Sequence, residues 1–344
     1  SLRSFVQWHL CTGFTHIFLF LDDPDELPYV LPLLDGLDSD GEHLTIVPCD
    51  AEHRAAWSEL SRWPDLQAHV DVEVQARQEL NAEQGVRLAK KLGLDWLLHI
   101  DVDEAFYCGS LNVSEHFAAL AVEGITCMRY MNFEGVPESA ELTDPFEECT
   151  LFRRHLAAIR PSSRESLEQL RNAMTYWLER SPQGHLFEGY MNGKSAVQLS
   201  AKPVPESVHV WRTSSTSADA AAHNFFAGAP PPGAKKSQLA QSSVALEACI
   251  LHFNAAVGYA AWRQKYSILG NFSDKWFGTT PIPPGFHRDS RDVCATGDED
   301  AIRAFYQKRV VLDNVDEISR QLASGFCVRL ERISRVLQAA SCPE

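Results

Sequence analysis

One stretch constrains this chain more than any other: Trp96-Leu97-Leu98-His99-Ile100-Asp101-Val102-Asp103-Glu104-Ala105-Phe106. A short apolar run, bounded by Gly93 and by acidic residues, has the length and composition of a buried parallel strand that breaks into charge at its carboxyl end. Open α/β sheets bind their ligands at that end. Asp101 and Asp103 stand two residues apart, so a tight bend after the strand turns both carboxylates towards one point. Two hard oxygen donors beside a sheet suit Mg²⁺ or Mn²⁺, and such an ion holds a diphosphate. A D-x-D pair alone is more often a solvated loop. Here the apolar strand before it, Glu104 after it and a long helical pattern leading in favour an organised site.

At 344 residues and 45% hydrophobic content, the chain is long enough for one large α/β domain with a substantial core. Its formal charge of −15 argues against nucleic acid or an anionic membrane surface as partner, because a phosphate-binding face needs excess Lys and Arg. An anionic substrate must then be held by a metal ion and a few placed basic residues. No run approaches the ~18 apolar residues of a membrane span, and no signal pattern is visible. The chain opens on Ser1 and is read as a mature fragment, with any membrane association through a segment outside it. Nine cysteines without C-x-x-C spacing make a zinc site unlikely and leave free thiols or a few disulfides open. Two sequons, at Asn112 and Asn271, fit a secretory compartment.

Along the chain, a short helix over 2–10 precedes an apolar run, His16 to Leu21, that ends at Asp22-Asp23-Pro24. Asp22 or Asp23 suits a ribose or base contact, as acidic residues do after strands of dinucleotide folds, or simply a Pro-terminated turn. Leu44 to Pro48 reads as a third strand. A long helix over 72–92, stopped by Gly93, feeds the central strand as half of a βαβ unit. Its Arg77, Gln78 and Asn81 share one side, facing either a diphosphate or solvent. Further on come a helix from Val113, a strand over 125–131 that leads into a loop bearing Glu134, and a capping box at Ser162 and Glu165. Leu167, Leu170, Met174, Trp177 and Leu178 recur at helical spacing and read as core. The Ala/Ser/Gly/Pro-rich stretch 213–243 reads as a mobile loop or lid. A strand over 248–253 and a helix over 259–266 follow, and 298–340 is largely helical with a break at Gly325.

Phe5 to Leu10 followed by Gly13 to Phe20, then Trp96 to Phe106, Gly193-Lys194-Ser195, and Leu251-His252-Phe253 with Trp262 and Lys265, resembles the GT-A glycosyltransferases of the family 92 and related family 2-like type. The resemblance covers about residues 1–275. It implies an α/β fold, a GT-A Rossmann-like mixed sheet flanked by helices. A nucleotide-sugar-dependent catalytic domain would span 1–275, with a helical C-terminal extension over 276–344 packed on it. It implies a nucleotide-diphosphate sugar as donor, UDP-linked in the first instance, and a divalent ion, Mn²⁺ or Mg²⁺, on Asp101 and Asp103. It also implies a Golgi-lumen ectodomain of a type II membrane protein, and a first strand upstream of Ser1.

The expected chemistry is hexose transfer to a hydroxyl of a glycan or glycoprotein, with the ion stabilising the departing diphosphate as a Lewis acid. His252 is the candidate third metal ligand, with His209 as competitor, and Lys194 neutralises a phosphate as a point charge. Asp22, Asp23, Arg77, Gln78, Asp101 and Lys194 are the candidate donor contacts. Inverting transfer needs a general base, for which Glu134 ranks first and Glu188 second. Two other classes remain: a relative that binds carbohydrate or nucleotide without turnover, and a phosphohydrolase or nucleotidyltransferase using the same carboxylates.

Overall fold

A computed structural model describes residues 1–110, 112–186, 189–214, 223–224, 248–270 and 272–341. The architecture is mixed α/β. Helix α1 (Leu2–Cys11) turns at Gly13 into β1 (Ile17–Leu21), which pairs in parallel with β2 (Leu44–Pro48). Gly13 has φ +105°, and a Cβ there would stand 2.5 Å from the Asn112 side chain, so only glycine fits this turn.

Helix α2 (Val74–Lys91) buries Ala76, Leu80, Val86 and Ala89 and carries Lys90 and Lys91 in its last turn, where cations favour the helix dipole. It stops as expected. Leu94 N donates to Ala89 O and Gly93 N to Lys90 O, a Schellman closure that needs the φ of +68° at Gly93. Next come β3 (Trp96–Leu98), β4 (Glu104–Cys108), α3 (Val113–Val122), β5 (Cys127–Tyr130), β6 (Asn132–Gly135) and β7 (Leu151–Arg153). Helix α4 (Arg164–Leu178), β8 (Lys194–Gln198), β9 (Ala248–His252) and α5 (Tyr259–Leu269) follow. After helices at Phe286–Ala295, Glu299–Arg309 and Val315–Ala323, β10 (Cys327–Arg329) and a last helix, Arg332–Ser341, complete the described chain.

The strands form three main ladders rather than one continuous sheet. β1 and β2 stand as a pair; residues 223–224, β5, β8 and β3 make a second sheet; β10, β7, β6, β9 and β4 make a third. The stretch 96–106, expected as one buried parallel strand with charge at its end, is two strands in different sheets joined by the acidic bend, and among the described residues each pairs antiparallel, β3 with β8 and β4 with β9. The chain crosses between the same two sheets at Met131, between β5 and β6. Glu134 therefore lies inside a strand, not in a loop. It is opposite Arg153 of β7 and His252 of β9.

Trp177 of α4, Trp262 of α5 and Tyr306, all fully buried, pack in one cluster with Phe326 and Cys327. The C-terminal residues thus share the main core and give β10 to the third sheet. The cap of α4 is one residue later than the sequence suggested: Ser163, extended at φ −146° and ψ 169°, forms a capping box with Ser166. Cysteines 49, 108, 127, 149, 249, 294 and 327 are buried and Cys11 is exposed. Asn112 caps α3 through Ser114 N, while Asn271 and nearly all of 213–243 lie outside the described residues. No described helix is long and apolar enough to cross a membrane. Truncating the shared core at Trp262→Ala should cost about 3–5 kcal/mol of stability, read as a lower midpoint in urea unfolding.

Candidate functional site

The acidic bend is closed by its own residues. Glu104 N donates to Asp101 O at 3.0 Å, and Asp101 N donates back to Glu104 Oε2 at 2.7 Å, which makes Asp101–Glu104 a tight turn. Phe253 N, just past β9, donates to Asp103 O at 2.8 Å and ties the turn to the third sheet. Both aspartates face a cleft of about 2210 Å³ that Asp22, Gln78, Lys194, His252 and Lys265 also line.

Each aspartate holds a lysine. Asp101 accepts from Lys194 Nζ at 2.8 Å and from Gln78 Nε2 at 2.7 Å. Lys194, 1% exposed, also lies 3.6 Å from Glu104 Oε2. Its position follows from Gly193, whose φ of +65° brings the chain so close to Tyr130 that a Cβ would sit 2.2 Å from the Tyr130 carbonyl oxygen. Asp103 accepts from Lys265 Nζ at 2.9 Å, and the same ammonium donates to Asn254 Oδ1 at 2.6 Å. Tyr190 donates its hydroxyl to Glu104 Oε1 and sets its ring against His209 and His252.

Burial alone would raise the carboxyls of Asp101 and Asp103. Lys194 beside the first and Lys265 beside the second outweigh it, and both sit below the usual carboxylate range. Glu104, with no exposed surface, is pushed up by burial to about 7. Burial would lower His252, yet the Glu134 carboxylate raises it to about 9. For His99 and His209, burial outweighs the pull of the Asp101 carboxylate and lowers each to about 4.

The residues singled out from the sequence fall into three groups. Asp101, Asp103, Gln78 and Lys194 meet at the bend. Asp22 sits at the end of β1, gripped at 2.7 Å by both Arg77 Nε and Arg77 Nη2, while Asp23 caps the following turn through Asp25 N. Glu134 and His252 form a buried pair, Oε2 to Nδ1 at 2.9 Å, with Asn132 donating to the other Glu134 oxygen at 2.5 Å. Glu134 is 1% exposed and does not open on the cleft. Asn81 also lines the cleft but its amide oxygen is engaged by His53 and Trp57, and Glu188 lies outside the described residues. His209 Nδ1 is engaged by Gly193 O.

The sequence reading assigned no role to Lys265 or Asn254 and did not notice Tyr190. Lys265 had a signal: it shares a helix face with the buried Trp262 and Tyr266, where an unpaired ammonium would be costly. Among the described residues, the metal-capable group whose ligand atoms lie within 4.8 Å of one another is elsewhere, at Asp38, Asp40 and His43 on the loop before β2.

No family model and no solved structure matches this chain. Two glycosyltransferase-like proteins of Arabidopsis thaliana do. One is 22% identical over 344 residues, covering 94% of this chain and 66% of the relative. The other is 21% identical over 216 residues, covering 60% of this chain and 39% of the relative. The chain is a distant homologue of glycosyltransferase-like proteins. It spans less than two thirds of the length of either relative.

The buried Glu134–His252 pair has a pH signature. Because the folded imidazole titrates above the unfolded one, its contribution to stability is complete below about 6.5 and is lost as pH rises through about 9. Urea unfolding across this window should show wild type losing stability, and Glu134→Gln, already weaker at low pH, losing less.

Proposed function

We propose that this chain is a glycosyltransferase that takes a hexose from a nucleotide-diphosphate sugar, UDP-linked in the first instance, and passes it to a hydroxyl of a glycan or glycoprotein. The observation that carries this reading is the acidic bend with its two lysines, set at strand ends in a large cleft. The distant glycosyltransferase-like relatives support it. The GT-A arrangement of the sheets and action in the Golgi lumen as a type II ectodomain belong to the same proposal.

In this reading the nucleoside lies towards β1, where Asp22 presents a carboxylate kept in place by Arg77. The diphosphate lies on the bend. Lys265, 30% exposed, is the ammonium within reach of a phosphate, while the enclosed Lys194 fixes the orientation of Asp101. The carboxylates of Asp101 and Asp103, 35% and 23% exposed, are hard oxygen donors of the kind Mn²⁺ or Mg²⁺ takes in ones and twos beside substrate phosphates. An ion held there supplies Lewis-acid stabilisation of the leaving diphosphate. His252 fits such a site less well, since its Nδ1 is committed to Glu134 and the ring carries a proton. Glu134, enclosed and hydrogen-bonded, acts here as the partner that orients His252. Glu188 is then the remaining carboxylate for the base of an inverting transfer.

A second reading, a binding protein without turnover, draws on one observation: both aspartates are already neutralised by lysines. Nucleoside diphosphate release from a panel of nucleotide sugars with Mn²⁺, with and without acceptor glycans, separates the two. Turnover is expected for wild type, with a loss of at least about 100-fold in Asp103→Ala and on chelation of the metal. Undiminished release by Asp103→Ala would move the site elsewhere, and binding without release would favour the second reading.

A further inference from the structure

We propose that His287, in the first turn of the helix Phe286–Ala295, is the base that takes the proton of the acceptor hydroxyl. This role rests on the transferase reading and goes beyond it. His287 lines the cleft, and its Nδ1 lies 2.7 Å from the hydroxyl of Tyr266. Among the described residues no group hydrogen-bonds its Nε2, so that nitrogen is left to the cleft.

Two neighbours on α5 set the imidazole beside the acidic bend. The ammonium of Lys265 goes to Asp103 and the hydroxyl of Tyr266, the next residue, goes to His287. The helix that carries His287 is fixed as well. Phe286 is buried in the main core, and Arg288 and Arg291 lie 3.6 Å and 2.9 Å from Asp274. Ser290 Oγ, buried and without another hydrogen-bond partner among the described residues, stands next to the Tyr266 hydroxyl. With the Tyr266 proton turned to Ser290, the phenol oxygen accepts from His287 Nδ1–H, and Nε2 keeps its lone pair.

Burial lowers His287 to about 4, and the Lys265 and His252 cations nearby act in the same sense. The helix N-terminus also favours the uncharged ring. The imidazole is therefore neutral and about as basic as an ordinary carboxylate. A diphosphate on the bend would offset both cations and raise that basicity. Other groups of the cleft are already committed: Asp101 and Asp103 hold lysines, and Glu134 is enclosed with His252. Two further neutral imidazoles, His99 and His209, lie near the enclosed Lys194, whereas His287 lies near Lys265, which is 30% exposed.

In the transfer step the acceptor oxygen forms its bond to the anomeric carbon as the bond from that carbon to the diphosphate oxygen breaks. The electron pair leaves with the diphosphate, and the hydroxyl proton passes to His287 Nε2. Tyr266 is a positioning residue, holding the tautomer that leaves Nε2 free.

The test measures nucleoside diphosphate release with acceptor present. His287→Ala should lower kcat by about 10²–10⁴-fold with the KM for the nucleotide sugar unchanged. Added imidazole should raise the rate of this variant at least about tenfold, by replacing the missing base, and should not help Asp103→Ala. Tyr266→Phe should lower kcat at unchanged KM and be insensitive to imidazole. If His287→Ala does not fold, His287→Gln, which keeps a hydrogen-bonding group without a basic nitrogen, decides through its kcat. Full activity of the His287 variants, a loss in folded His287→Ala that imidazole does not repair, or retained anomeric configuration in the product would overturn the proposal. A loss in Glu188→Gln alone would return the role to that carboxylate, and in each of these cases the transferase reading stands. Nucleotide binding by wild type without any release would overturn both.

Discussion

The Lys194 ammonium, almost without exposed surface, is the constraint on which the site depends. A buried cation persists only where carboxylates and hydrogen bonds compensate its lost hydration. Asp101 and Glu104 supply that compensation from the two ends of one tight turn, so the turn, the start of β8 and the cleft floor hold together or fail together. Removing either carboxylate would leave a buried charge short of partners, which is costlier than the pair is stabilising.

The same cluster lies where the chain passes between sheets. The crossings at 99–103 and at Met131 carry the chain from one sheet to the other, and at the first of them Asp101 and Asp103 pair with Lys194 and Lys265. Helix α2 anchors this region from outside through Gln78 on Asp101, and Arg77 on Asp22 extends the same anchoring to the first sheet. The second buried pair, Glu134 with His252, joins β6 to β9 behind the bend, and Lys265 bridges Asp103 to Asn254 on the other side. A ligand in the cleft therefore meets charges that the fold already holds in place, and the Lys265–Asp103 pair is the one it would have to part.

Local pattern made much of this legible in the sequence. The Schellman stop at Gly93, the separate strands at 17–21 and 44–48, and the bend carrying Asp101 and Asp103 all follow from short-range chemistry, whereas the parallel pairing of those two strands shows only in the fold. What was illegible depends on distant partners. Glu134 looks like a loop carboxylate until β7 and β9 close over it, because period and turn signals around Phe133 do not reveal that the chain has changed sheets at Met131. Lys265 sits 162 positions from Asp103, and no local spacing connects them. The capping serine slipped by one residue because two adjacent serines, Ser162 and Ser163, offer the same chemistry and only the backbone conformation chooses.

The account is tested most directly by the anomalous signal of Mn²⁺ in crystals soaked with Mn²⁺ and a nucleoside diphosphate. The prediction is a manganese peak at coordination distance from Asp103, with the diphosphate on the same ion and Lys265 turned to a phosphate oxygen. A peak confined to Asp38, Asp40 and His43, with the nucleotide absent from the acidic bend, would contradict it.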